Sequence, residues 1–277
     1  MNRSPLVYFL FFLSGISGLI YEIVWTRMLT LTFGHTVLSA SIVLCAFMAG
    51  LGIGSFLWGH WADLKTDTLL VYGKIEILIA IVGAVLSIIL SNFGPIYSWI
   101  HVFIPEVSLL QNVVKVVLAF SLVMLPAMFM GATLPIVGKY YVADDQKIGV
   151  QISLLYSINT FGAALGCILT GFLLIPVFGV LQSVLFAASI NFLVGLGAIR
   201  VYQEGNPETK IDFKLPLPST PKLRVDKENA IWLIVSFVAG FTALSFQVLW
   251  TRLLVFSISS TVYSFSMMLA VFLLGIV

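Results

Sequence analysis

The chain has 277 residues, 60% of them hydrophobic and only 9% charged, with a mean hydropathy of +1.09 and a formal net charge of +2. Soluble domains carry roughly a quarter charged residues, so this composition excludes a water-soluble globule and describes an integral membrane protein. So small a net charge says little about partners, nothing marks nucleic-acid binding, and Cys45 and Cys167, both in apolar runs, read as small fillers rather than as a disulfide framework or a metal cluster.

Backbone polar groups in lipid must be bonded within their own segment, so apolar runs of about 20 residues read as spanning helices. The runs are too long and too continuous for the alternating strands of a membrane barrel. In chain order the sequence predicts eight segments, at about 6–28, 36–59, 69–91, 109–134, 150–174, 179–199, 230–253 and from 261 onward. The last has 17 residues before the sequence ends, marginal for a crossing. Met1-Asn2-Arg3 ahead of an apolar stretch mimics a signal peptide, but that stretch recurs near residue 237 and is expected to be retained as a helix.

The recurrence is extensive. Residues 12–50 and 237–275 align without a gap at a constant offset of 225, with 14 identities in 39 positions. Chance similarity between apolar helices supplies shared Leu and Val; it does not supply Trp25-Thr26-Arg27 repeated as Trp250-Thr251-Arg252. The offset maps segment one onto seven and two onto eight, so the repeat unit is six helices and both copies share one orientation. Parallel six-helix repeats are the architecture of major facilitator transporters. The expected fold is therefore all-α, a polytopic transmembrane bundle of about eight helices. Residues 1–200 would form the first six-helix half, 201–229 a linker, and 230–277 the opening of a second half that is cut short.

The connections set the expected orientation. The N-terminus and the stretches 60–68, 135–149 and 200–229 carry the loop Lys and Arg residues, whereas 29–35, 92–108 and 175–178 carry none. The positive-inside rule then puts the N-terminus and the linker in the cytoplasm of a bacterial inner membrane. Pro216, Pro218 and Pro221 favour an extended, semi-rigid linker, and Pro95, Tyr97, Trp99, His101 and Pro105 suit an interfacial turn with aromatic anchors.

Several constellations are candidates for chemistry. Small residues four apart, at Ala46, Gly50 and Gly54 and again at Gly162 and Gly166, form smooth stripes for close helix packing or for a sliding contact. Gly59-His60-Trp61-Ala62-Asp63, with Lys65 beyond, resembles the loop between helices two and three of major facilitator proteins, in which the Asp pairs helices. Glu22 and Glu76 are ionisable residues at membrane depth, either pairing within the bundle or forming a cation or proton site. Lys74 is expected to snorkel to the surface. Glu22 maps onto Gln247 while Trp25, Arg27, Trp250 and Arg252 are kept, so the Trp-Thr-Arg element reads as architectural and the carboxylate as asymmetric and functional. Tyr156, Asn159 and Thr160 in segment five are either helix–helix glue or substrate contacts. No phosphate loop G-x-x-x-x-G-K-S/T and no Gly-rich turn after a strand is present, and His35, His60 and His101 lack metal-ligand spacing, so neither cofactor nor metal is expected.

Four stretches together resemble one family. They run from Ser14 to Arg27 (SGISGLIYEIVWTR), Phe47 to Ser55 (FMAGLGIGS), Met130 to Pro135 (MGATLP) and Leu155 to Gly166 (LYSINTFGAALG). They are similar to the membrane region of membrane-bound spermidine synthase-like proteins, described as fused facilitator and spermidine synthase. The resemblance implies a soluble aminopropyltransferase-like domain downstream, transferring an aminopropyl group from decarboxylated S-adenosylmethionine to putrescine. None of that domain's catalytic residues has a counterpart here, so what is implied is a polyamine context: a membrane anchor or polyamine-handling region with Glu22 and Glu76 as counter-charges. The alternative is a stand-alone secondary transporter of major facilitator type for another small solute, and a passive scaffold is a third reading.

Overall fold

The computed structural model describes residues 4–34, 36–63, 67–101, 108–141, 148–205, 227–258 and 260–277, and all regular structure among them is helical. In chain order the helices are α1 (Ser4–Phe33), α2 (Thr36–Asp63), α3 (Thr68–Ser91), α4 (Phe93–His101), α5 (Ser108–Tyr141), α6 (Ile148–Leu169), α7 (Ile175–Phe178), α8 (Val180–Gly205), α9 (Lys227–Ile258) and α10 (Thr261–Leu274), with a π-helical turn at Thr170–Leu174 joining α6 to α7. Seven helical spans among the described residues are long and apolar enough to cross a bilayer, and α10 is a shorter apolar helix. The architecture is that of an all-α, multi-pass helical bundle, as the hydropathy runs require.

Several helices run a few residues past the expected bounds, α1 to Phe33, α8 to Gly205 and α9 over Lys227–Ile258, and three departures are larger. Helix α5 continues through Pro126 and Pro135 to Tyr141, because a spanning helix tolerates the lost N–H where neighbouring helices shield the backbone. The expected turn at 92–108 contains a helix over Phe93–His101; the side chains of Tyr97, Trp99 and His101 lie outside the described residues. The expected connection at 175–178 is helical, so one apolar span runs from Gly149 to Phe178. Only Gly179, with φ of 84°, separates it from α8. That left-handed backbone favours glycine, and it lets two spanning helices reverse over a single residue. The linker stretch 206–226, with its three prolines, and Lys65 lie outside the described residues, as does the side chain of Asp63.

Contacts fix the helix directions. Ser14 of α1 bonds Glu76 of α3, and Trp25 of α1 bonds Ser87 of α3. Both partners advance by eleven residues, about 16 Å of helix, so α1 and α3 run parallel and in register. On α6, Gly162 faces Phe12 and Gly166 faces Ile16, so α6 is also parallel to α1. Gly50 and Gly54 of α2 face Met124 and Met128 of α5, and those two helices are parallel to each other. Gly73 faces Ile199 while Gly195 faces Ile77, which makes α3 and α8 antiparallel. The result is an alternating traverse in which α1, α3 and α6 run one way.

The broadest contacts join α2 to α5, α3 to α8 and α1 to α6. Glycine makes each of them close. A β-carbon on Gly73 would sit 2.7 Å from the Gly195 carbonyl oxygen, and one on Gly195 would sit 2.6 Å from the Gly73 carbonyl oxygen. Backbones in such contact gain dispersion and weak Cα–H···O bonds, the attractions available where lipid removes the hydrophobic drive between helices. The largest core cluster fills the six-span bundle with Phe11, Tyr21, Trp25 and Tyr72. A smaller cluster of Ile23, Leu44, Cys167, Phe265 and Leu269 attaches α10 to α1, α2 and α6.

Candidate functional site

Both membrane-depth acids are fully buried, but they have different surroundings. Glu22, on α1, is 1% exposed, and neither of its carboxylate oxygens has a hydrogen-bond partner among the described residues. Its electrostatic neighbour is Cys167 of α6, and the adjacent Ile23 packs in the cluster that carries Phe265 and Leu269 of α10. Glu22 thus sits at the seam where α10 meets the six-span bundle. Glu76, on α3, accepts a hydrogen bond of 2.6 Å from the Ser14 hydroxyl. Tyr21 and Tyr72 are its electrostatic neighbours, although neither hydroxyl meets hydrogen-bond geometry with a partner among the described residues. Two acids with separate neighbours do not make one cavity. An unpaired carboxylate in a low-dielectric interior costs several kcal/mol, so Glu22 is the more anomalous of the two.

The other sequence candidates separate by role. Asn159 donates from Nδ2 to the Phe11 carbonyl at 2.9 Å and so ties α6 to α1. Thr160 is buried, whereas Tyr156 is 46% exposed on the outside of the bundle. Gln247, the counterpart of Glu22, is buried with its Oε1 unpaired among the described residues. Lys74 does not snorkel to the surface: it is buried with the whole run from Thr68 to Ile77, because that end of α3 is packed all round. Sequence reasoning missed Ser14, Ser87, Tyr21 and Tyr72, since apolar runs hide isolated hydroxyls. It also missed the 2.7 Å bond from the Tyr202 hydroxyl to Asp67, which pins the start of α3 to the end of α8.

The Trp-Thr-Arg repeat divides by residue. The two threonines behave alike: Thr26 Oγ1 donates to the Glu22 carbonyl at 2.8 Å, and Thr251 Oγ1 donates to the Gln247 carbonyl at 2.7 Å. The tryptophans differ, because Trp25 is fully buried and donates from Nε1 to Ser87 at 2.9 Å, while Trp250 is 54% exposed. The arginines converge. A cavity of about 270 Å³ between α1, α2, α9 and α10 is lined by both Arg27 and Arg252. Its walls pair at the same offset of 225 that aligns the sequence, as Ile23 with Val248, Thr26 with Thr251 and Val37 with Val262. No acidic residue lines it, and neither arginine forms an ion pair among the described residues. Among those residues no group of His, Cys, Asp and Glu is arranged to hold a metal ion.

Comparison with known proteins gives a partial answer. No family model matches the chain, and no solved structure matches it. It is 24% identical over 184 residues to a polyamine aminopropyltransferase of Corynebacterium efficiens. It is 22% identical over 186 residues to polyamine aminopropyltransferase 1 of Streptomyces coelicolor, and 24% identical over 190 residues to polyamine aminopropyltransferase 2 of the same organism. The alignments cover 65%, 67% and 68% of this chain but 32% of each relative. The chain therefore spans about a third of the length of the curated relatives it matches. The resemblance drawn from the motifs thus meets named polyamine aminopropyltransferases, at low identity.

Proposed function

We propose that this chain is the membrane-embedded region of a polyamine aminopropyltransferase-type protein, and that it handles the polyamine through a cation site at Glu22. The observation that carries the reading is similarity to three polyamine aminopropyltransferases over about two thirds of the chain. The chemistry of the seam supports the finer step. A polyamine is a flexible polycation, and a buried carboxylate with both oxygens unpaired is a counter-charge without a cation. The seam lies where the α9–α10 pair, repeated in sequence from α1–α2, meets the first six spans, and secondary transporters place substrate and coupling-ion sites at such repeat interfaces. The soluble aminopropyltransferase domain is the partner this reading requires.

One observation favours a second reading, a stationary anchor. The interior of the six-span bundle is filled with aromatic and aliphatic side chains, and Glu76 is engaged by Ser14 within it. Flux decides between the two. Proteoliposomes holding the full-length protein are expected to accumulate radiolabelled putrescine or spermidine, and Glu22→Gln is expected to abolish accumulation with normal expression. Glutamine keeps the size of the side chain and removes its charge, and an unchanged Tm of the variant in detergent would show that lost flux does not reflect unfolding. Equal accumulation by wild type and E22Q would end the cation-site reading; no accumulation by either would leave the anchor.

A further inference from the structure

We infer that the cavity between α1, α2, α9 and α10 binds a phosphate-class oxyanion, held between Arg27 and Arg252. This does not rest on the polyamine reading, and it concerns charge of the opposite sign. Arg27 and Arg252 line one cavity near the C-terminal ends of α1 and α9. Each lies six residues before its helix ends, about 9 Å along the axis. No carboxylate lines the cavity, and Glu22, five residues before Arg27 on α1, has both oxygens unpaired and forms no ion pair with either arginine. Arg27 is half-buried and Arg252 exposed, neither has a carboxylate partner among the described residues, and an oxyanion between them would neutralise both.

Helix ends add to the field. Thr261 and Val262, the first residues of α10, line the same cavity, and Val37, the second residue of α2, does so at the matching position. The first N–H groups of a helix have no intrahelical acceptor and carry about half a positive charge. Ser260, ahead of α10, makes no side-chain cap bond to them. Thr26, Thr30 and Thr251 donate to their own helix carbonyls, which leaves the two arginines and Thr261 as the side-chain donors lining the cavity. Two arginines lining one space suit a tetrahedral oxyanion, whose oxygens can accept from both sides, and match its one to two negative charges better than those of a single carboxylate.

The ligand is either free phosphate or the phosphate of an anionic lipid headgroup, and the test separates the two. Thermal unfolding of the full-length protein is followed in neutral detergent against inorganic phosphate, with chloride at matched ionic strength as control. A parallel titration uses dihexanoyl phosphatidylglycerol, with dihexanoyl phosphatidylcholine as control. A saturable rise in Tm is expected with at least one probe. Response to phosphate marks a soluble anion, and response to phosphatidylglycerol alone marks a lipid. Arg27→Gln and Arg252→Gln should each raise the half-saturating concentration about tenfold or more, the loss expected of one charge-assisted pair, with Lys139→Gln unchanged. Should either glutamine variant fail to fold, R27K and R252K keep the charge, lose the fork, and should still weaken binding. Absence of a saturable shift in the wild type, or an unchanged one in R27Q/R252Q, overturns the site.

Discussion

At the scale of single residues, the repeated tryptophans show how one side chain acquires two environments. Trp25 is closed in by α3 and spends its N–H on Ser87, whose own hydroxyl donates 2.8 Å to the Gly83 carbonyl. Trp250 has the same neighbours in sequence but stands half-exposed on α9. Substitution should therefore cost different amounts. Trp25→Phe removes a buried interhelical bond and part of a packed ring, and is expected to lower unfolding free energy by about 1–3 kcal/mol in a denaturant titration in mixed micelles. Ser87→Ala leaves the indole N–H unpaired and should cost about 1–2 kcal/mol. Trp250→Phe should stay within about 0.5 kcal/mol. Equal losses for the two tryptophan variants would mean that Trp250 is covered in the membrane. The acids follow the same logic: Glu76 has a hydroxyl partner and reads as a structural tie, while Glu22 has none and remains the functional candidate.

At the scale of helices, the tightest contacts are set by what glycine leaves out. Gly73 and Gly195 each face the other's carbonyl oxygen, so α3 and α8 touch through backbone. Gly195→Val would push the two apart along their length, with an expected loss of about 2 kcal/mol or more by the same titration, whereas Gly52→Val should cost much less, because a β-carbon on Gly52 meets nothing within 4 Å. The small-residue stripes at Gly50–Gly54 and Gly162–Gly166 were legible in the sequence, because four-residue spacing is a property of one helix. Gly73 and Gly195 were not, because each is isolated and acquires meaning only from a partner 122 residues away. Spanning segments were legible because long apolar runs have few alternative structures in lipid. Helix α4 was not: nine residues with Gly94 and Pro95 carry turn signals as strong as helical ones. The hydroxyl ties Ser14–Glu76 and Trp25–Ser87 share one separation, visible only once α1 and α3 are known to lie side by side in register.

For the molecule as a whole, the helix directions and the loop charges make one joint statement about topology. α1 and α3 run together, α3 opposes α8, and the arginine cavity forms at the ends of α1 and α9. The end of α3 at Ser91 should therefore lie on the same side as the cavity, and the end of α8 at Glu204 on the opposite side with Arg200. If the basic loops face the cytoplasm, the cavity faces outward and meets anions of the outer leaflet or periplasm. Site-directed labelling reads this directly. In a background with Cys45 and Cys167 replaced, Ser91→Cys should react with a membrane-impermeant maleimide in intact bacterial spheroplasts. Glu204→Cys should react only after lysis, and both positions are exposed enough to be reached. Labelling of both from one side would break the alternating traverse itself. The reverse pattern would keep the traverse and invert the protein, turning the arginine cavity toward the cytoplasm, where free phosphate and the anionic lipids of the inner leaflet are the oxyanions it would meet.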